Sequence, residues 1–223
     1  MAHEKALDSN SCITFPASGS GPGVLVLHSW WGLNPFFRSV CQRLSDVGFV
    51  ALAPDLYNGR TASTISTARA LRKDAMAKRK EPAYKYLQRN IEHLISHDAV
   101  LGKDIGVMGF SMGGHWAFWL AQRPHLPISA TVTFYSSRNG DYSRSNSAFL
   151  CHFADDDDYV SAVSRKRIVN SLRQYRISAT MHDYPHTRHW FFEEDQPEYF
   201  DQPAASLAWD RSVHFLHEQL QID

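Results

Sequence analysis

The stretch from Asp104 to Ala121, DIGVMGFSMGGHWAFWLA, restricts the folds open to this chain more than any other. Ile105 to Met108 is an apolar run of strand length. It ends in Gly109, Phe110, Ser111, Met112 and Gly113, and apolar residues then recur at helical spacing. This reads as strand, sharp turn and helix. A serine at the centre of G-x-S-x-G suits such a turn, because the elbow holds it in a strained conformation while small neighbours let strand and helix approach. The turn lifts the Ser111 hydroxyl clear of a sheet. The helix N-terminus beneath it offers N–H groups and a positive dipole end to a developing oxyanion. Ser111 is therefore read as a nucleophile rather than as an incidental serine in a glycine-rich turn.

The remainder of the chain alternates strands and helices around this unit. Residues 1 to about 10 are polar and expected to be loose, Cys12 to Phe15 forms a short edge strand, and Val24 to His28 is a continuous apolar strand of the kind buried on both faces. Pro35 starts a helix that runs to about Asp46 with Phe37, Val40, Cys41 and Leu44 on one face and stops at Gly48. Phe49 to Ala53 is the next strand. Thr61 to His97 holds two helices divided near Glu81 and Pro82, one more than a crossover needs, so the surplus helix is a candidate lid. Its basic residues, Arg69, Arg72, Lys73, Lys78, Arg79 and Lys80, are read as a solvated face. Strands at Ile128–Tyr135, Ala148–Phe153 and Ala179–Tyr184, a helix at Ser161–Arg173 and a C-terminal helix after Pro203 complete the pattern. In that last helix Leu207, Val213, Phe215 and Leu216 are expected to face the sheet. The fold class is α/β, a mostly parallel central sheet with helices on both faces, and residues 1–223 form one domain.

Composition removes several function classes. Lys plus Arg and Asp plus Glu both number 23, so no net charge draws the chain to nucleic acid. The expected partner is a small molecule. No apolar run is long enough to span a bilayer, so no membrane association is expected. Three cysteines that cannot all pair, and an N-terminus without a signal peptide's apolar stretch, place the chain in the cytoplasm.

A serine hydroxyl is a weak nucleophile and needs a base, which in turn needs a group to orient it. The strand–elbow–helix unit is similar to that of α/β-hydrolases, in which serine, acid and histidine follow in that order. Four aspartates, Asp155 to Asp158, follow one strand. Asp157 stands three residues before the apolar anchor Val160, which is the acid's usual position in this fold; Asp156 is the alternative. Among twelve histidines, His189 lies in the loop after the last strand, with His186 as the alternative. The oxyanion is expected to be held by the main-chain N–H groups of Met112 and Trp30. Trp31, Tyr57 and Trp190, with Phe191, are expected to line an acyl or alcohol pocket. A zinc site at His182, His186 and His189 lacks a fixed frame, and no metal is expected.

Four stretches, VLVLHSWWGLNPFFRSVCQRLSDVGFVALAPDLYNGR, IGVMGFSMGG, HFADDDDYV and YPHTRHWFF, occur here in the order and approximate spacing of the dienelactone hydrolase family. The chain resembles that family from about Val24 to the C-terminal helix. The resemblance implies cleavage of an ester or lactone through an acyl-enzyme, without a cofactor. The chain departs from the family in three places. The common cysteine nucleophile is Ser111, the usual glutamate of the first loop falls on Ser29, expected here beside the substrate, and an arginine shortly after the histidine is replaced by Trp190, Phe191, Phe192 and Glu193. Because Glu193 would repel an anionic lactone, a neutral ester is the expected substrate. Acyl transfer to a second substrate, or ligand binding without catalysis, are the alternatives for the same fold.

Overall fold

The computed structural model describes residues 8–77 and 80–221. Residues 1–7 of the tail expected to be loose to about residue 10, and residues 78–79 between α2 and α3, lie outside the described residues, as do the side chains from Met76 to Pro82, including those of Lys78, Arg79 and Lys80. In chain order the elements are β1 (Cys12–Thr14), β2 (Gly21–Leu27), α1 (Pro35–Asp46), β3 (Val50–Ala53), α2 (Ile65–Ala77), α3 (Lys80–Ile95), β4 (Val100–Phe110), α4 (Met112–Ala121), β5 (Ile128–Phe134), β6 (Ala148–Asp156), α5 (Ala162–Gln174), β7 (Ala179–Arg188) and α6 (Gln202–Gln219). The seven strands form one sheet in the order β1-β3-β2-β4-β5-β6-β7. Only β1 runs antiparallel to its neighbour.

The middle of the sheet is buried on both faces, so β2 and β3 are apolar throughout and β5 holds Thr131 and Thr133 buried among apolar neighbours. In β2, Val24 and Val26 point to one side with α1 and α6, and Leu25 and Leu27 to the other with α3 and α4. A third cluster packs Ile168 and Leu172 of α5 against Phe118 and Phe149. Each fully buried side chain of this size contributes about 1.5–3 kcal/mol. α1 begins where Asn34 Oδ1 accepts from Phe37 N–H (3.2 Å) and Pro35 supplies a preset φ.

Several details differ from the sequence expectation, among them two boundaries and the buried face of α6. α3 already begins at Lys80, so Pro82 lies within its first turn, where a missing N–H removes no helical hydrogen bond. β7 continues to Arg188 because Asp156 at the end of β6 pairs with Arg188. Along α6 the inward row is Ala205, Ala208, Ser212 and Leu216. Leu207 stands about 100° away from Ala208 and is 46% exposed, so only Leu216 of the expected residues is fully buried.

Candidate active site

Ser111 occupies the turn between β4 and α4 with φ of 50°, the left-handed region that costs a non-glycine residue roughly 1–3 kcal/mol. Packing imposes that conformation. Ser111 N–H donates to Phe134 O (3.0 Å), Ser136 Oγ donates to Ser111 O (2.8 Å), and the hydroxyl takes no part in capping α4. Gly113 lets the helix sit against β2: a Cβ there would lie 2.0 Å from Leu27 O. A Cβ on Gly109 would meet Gly113 O at 2.5 Å, so both glycines of the motif are required by contact.

The Ser111 hydroxyl is 2.7 Å from His189 Nε2, and His189 Nδ1 is 2.9 Å from both carboxylate oxygens of Asp157. A carboxylate only accepts, so Nδ1 carries the proton and Nε2 is left to accept from Ser111. The side chains of His189 and Asp157 are 3% and 1% exposed, which keeps water from competing for these bonds. Asp157 Oδ1 also accepts from the N–H groups of Tyr159 (2.8 Å) and Val160 (2.9 Å). That turn sets its rotamer, and it needs Val160 anchored three residues on. Asp156, the alternative acid, and His186, the alternative base, are both exposed, and the main-chain N–H of His186 donates to Asp155 Oδ2 (3.4 Å).

A cavity of about 710 Å³ opens over these residues and is lined by Ser111, Met112, His189, Trp30, Trp190 and Tyr159, among others. Trp30 and Trp190 stack with ring centres 5.5 Å apart, and the Tyr159 ring is 4.7 Å from His189. The main-chain N–H groups of Trp30 and Met112 donate to no acceptor among the described residues. Trp116 and Tyr84 close one side, with Tyr84 stacked on Trp119 at 3.8 Å. α3 thus supplies a wall of the cavity.

Ser29, Trp31 and Tyr57, expected along the substrate, are not among its lining residues. Ser29 is buried and its hydroxyl donates to Glu193 Oε2 (2.9 Å). Trp31 borders a separate cavity of about 620 Å³ near Asn34 and Tyr199, and Tyr57 lies behind the elbow with its hydroxyl 3.2 Å from Met112 Sδ. In each case a neighbour distant in sequence turns the side chain inward. Two cations line the cavity: Arg72 of α2, read from sequence as part of a solvated face, and Arg138 of the loop after β5. Arg138 donates to His115 Nε2, has a buried Nε without a partner, and pairs with no carboxylate among the described residues. Its only sequence signal was its position in the polar loop just beyond the strand after the elbow.

Glu193 also departs from expectation. It is fully buried, outside the cavity lining, and accepts from Ser29 Oγ and from Tyr135 Oη (2.7 Å). It cannot meet a substrate, so the electrostatic reason for excluding an anionic one disappears. Burial pushes its pKa well above the usual 4.5, and Asp195 adds to the shift. No Lys or Arg among the described residues pairs with it. Its stabilising effect is complete below about pH 4.5, where the acid is neutral in both states. It shrinks as pH rises, because only the unfolded chain then ionises. The stability of the parent relative to Glu193→Gln is therefore expected to fall by up to about 1.4 kcal/mol per pH unit above that point. Urea unfolding of both proteins at several pH values measures it, and parallel curves would refute it.

Comparison with known proteins agrees with this architecture. The family model described as the dienelactone hydrolase family matches residues 10–220. Protein usf of Aquifex pyrophilus is 28% identical over 206 residues, 90% of this chain and 89% of its own. The carboxymethylenebutenolidase of Rhodococcus opacus is 24% identical over 219 residues, 92% of this chain and 84% of its own. A dienelactone hydrolase-like promiscuous phosphotriesterase from metagenomic libraries superposes with a TM-score of 0.81 at 22% identity, over 93% of this chain and 91% of its own. No helix among the described residues is long and apolar enough to cross a membrane. With a match spanning nearly the whole sequence and the seven-stranded α/β-hydrolase sheet beneath it, the chain belongs to the dienelactone hydrolase family and is a hydrolase.

Proposed function

We propose that this protein hydrolyses carboxylic esters or lactones through an acyl-enzyme on Ser111. The observation that carries the reading is the unbroken chain of contacts from Ser111 Oγ to His189 Nε2 and from His189 Nδ1 to the buried Asp157. Ser111 attacks the carbonyl while His189 takes its proton, and Asp157 keeps the imidazole in the required tautomer and stabilises its charge. The N–H groups of Met112 and Trp30 hold the oxyanion, a contribution of about 3–4 kcal/mol per donor. His189 then protonates the leaving alkoxide, and water activated by the same histidine releases the acid.

The cavity favours an ester that carries an acidic group, because Arg72 and Arg138 line it and Glu193 does not. Guanidinium groups pair with carboxylates in bidentate geometry. The test is a panel of activated esters and lactones, each neutral compound matched by a carboxylate-bearing analogue. The parent is expected to turn over members of the panel and to prefer the acidic ones. Asp157→Asn is expected to lower kcat by about 10⁴-fold, since the amide N–H group would take the place of Oδ2, donate to Nδ1 and invert the tautomer. A folded parent inactive on the whole panel would overturn the proposal.

A further inference from the structure

Glu193 takes no part in the steps above, yet it is a carboxyl group sealed inside the protein next to them. Its oxygens are claimed by hydroxyls from two other parts of the chain: Ser29, just after β2, at 2.9 Å, and Tyr135, just after β5, at 2.7 Å. Glu193 itself lies four residues beyond His189, with its N–H bound to Trp190 O (2.8 Å). Each partner adjoins a reacting group. Ser29 immediately precedes Trp30, and its carbonyl is held in turn by His28 Nδ1 at 2.6 Å. Tyr135 packs its ring on His189 (4.8 Å between centres) and directly follows Phe134, whose carbonyl receives the Ser111 N–H. Tyr135 and Trp190 both hold positive φ, at 36° and 70°, so these segments are bent into place rather than relaxed there.

We propose that Glu193 is a positioning residue: it clamps the loop carrying the Trp30 amide and the segment carrying Tyr135 to the loop carrying His189, so that oxyanion donor, base and nucleophile keep one mutual geometry. The inference rests on the ester-hydrolase reading. A carboxyl group suits the task because its two oxygens diverge toward two hydroxyls. The three segments share no strand pairing at these residues, so without the clamp only packing would hold their spacing. Displacements of about 1 Å in such a site cost up to about 100-fold in rate.

The test is steady-state hydrolysis of one activated ester by the parent, Glu193→Gln, Glu193→Ala and Ser29→Ala, with Ser111→Ala as the blank and each protein assayed well below its own unfolding transition. Glu193→Ala is expected to lose about 10- to 100-fold in kcat with KM changed less than about threefold, the signature of lost transition-state alignment. Glu193→Gln, whose amide reaches the same two hydroxyls, is expected to recover most of that loss. Ser29→Ala, which cuts one arm and leaves the carboxyl in place, is expected to lower kcat by a smaller factor. A merely structural Glu193 would lower the unfolding temperature and leave the kcat of folded Glu193→Ala unchanged, and that result would overturn the inference. Should Glu193→Ala fail to fold, an unchanged kcat in Ser29→Ala would overturn it equally. A parent no faster than the Ser111→Ala blank would remove the ester-hydrolase reading and this inference with it; a fast parent matched by Glu193→Ala would remove only the inference.

Discussion

Ser111→Ala is expected to take up no fluorophosphonate, whereas the parent takes up one equivalent, read as a single mass increment on the intact protein. The reagent's phosphorus accepts the same attack as an ester carbonyl. It reports an activated oxygen rather than a mere cavity. The physical case is the short Ser111–His189 contact of 2.7 Å and the burial of His189 and Asp157, which keep the imidazole turned with Nε2 toward the hydroxyl and Nδ1 toward the carboxylate. Ester turnover should fall in parallel by about 10⁶-fold in kcat, because nucleophile and base act as a unit. His189→Ala should be nearly as slow and leave the reagent unreacted on the assay timescale. Equal labelling of the parent and Ser111→Ala would move the nucleophile elsewhere, and an unlabelled, folded parent would end the case for serine catalysis.

The second large effect falls on stability. Gly113→Ala puts a methyl group 2.0 Å from Leu27 O and 2.6 Å from His28 O, both backbone atoms at the end of a central strand. Neither can swing aside like a flexible side chain, so α4 must lift from the sheet. The expected cost is about 3 kcal/mol or more. For a domain of this size that lowers the unfolding temperature by roughly 6–12 °C. The same displacement moves Ser111 from His189, so residual folded protein should also be slow. A calorimetric transition within a degree of the parent would show that the elbow has slack that these contacts exclude.

Much of the site was legible from sequence, and for identifiable reasons. The elbow could be read because an apolar strand, the glycines flanking Ser111 and a helical apolar pattern are all local signals. Asp157 could be read because its turn depends on the nearby anchor Val160, and His189 because it lies in a loop at the proper end of a strand. The family model matches nearly the same span from which the resemblance was drawn.

The remaining assignments depended on neighbours that no local pattern names. Ser29, Trp31 and Tyr57 stand at the edge of the sheet where ligands collect, but their side chains turn inward to Glu193, to a second cavity and to Met112. Glu193 reads from sequence as a surface charge facing substrate, and the fold buries it 164 positions from its partner Ser29. Arg138 reads as a loop cation, and the fold sets it on the cavity wall. Short-range periodicity and turn chemistry were enough to give the succession of strands and helices and the strained serine turn, and to narrow the acid to Asp157 or Asp156 and the base to His189 or His186. Which loop side chains face the cavity and which polar groups are sealed behind it came from the folded packing, because loop residues have no periodicity and their direction is set by segments distant in the chain.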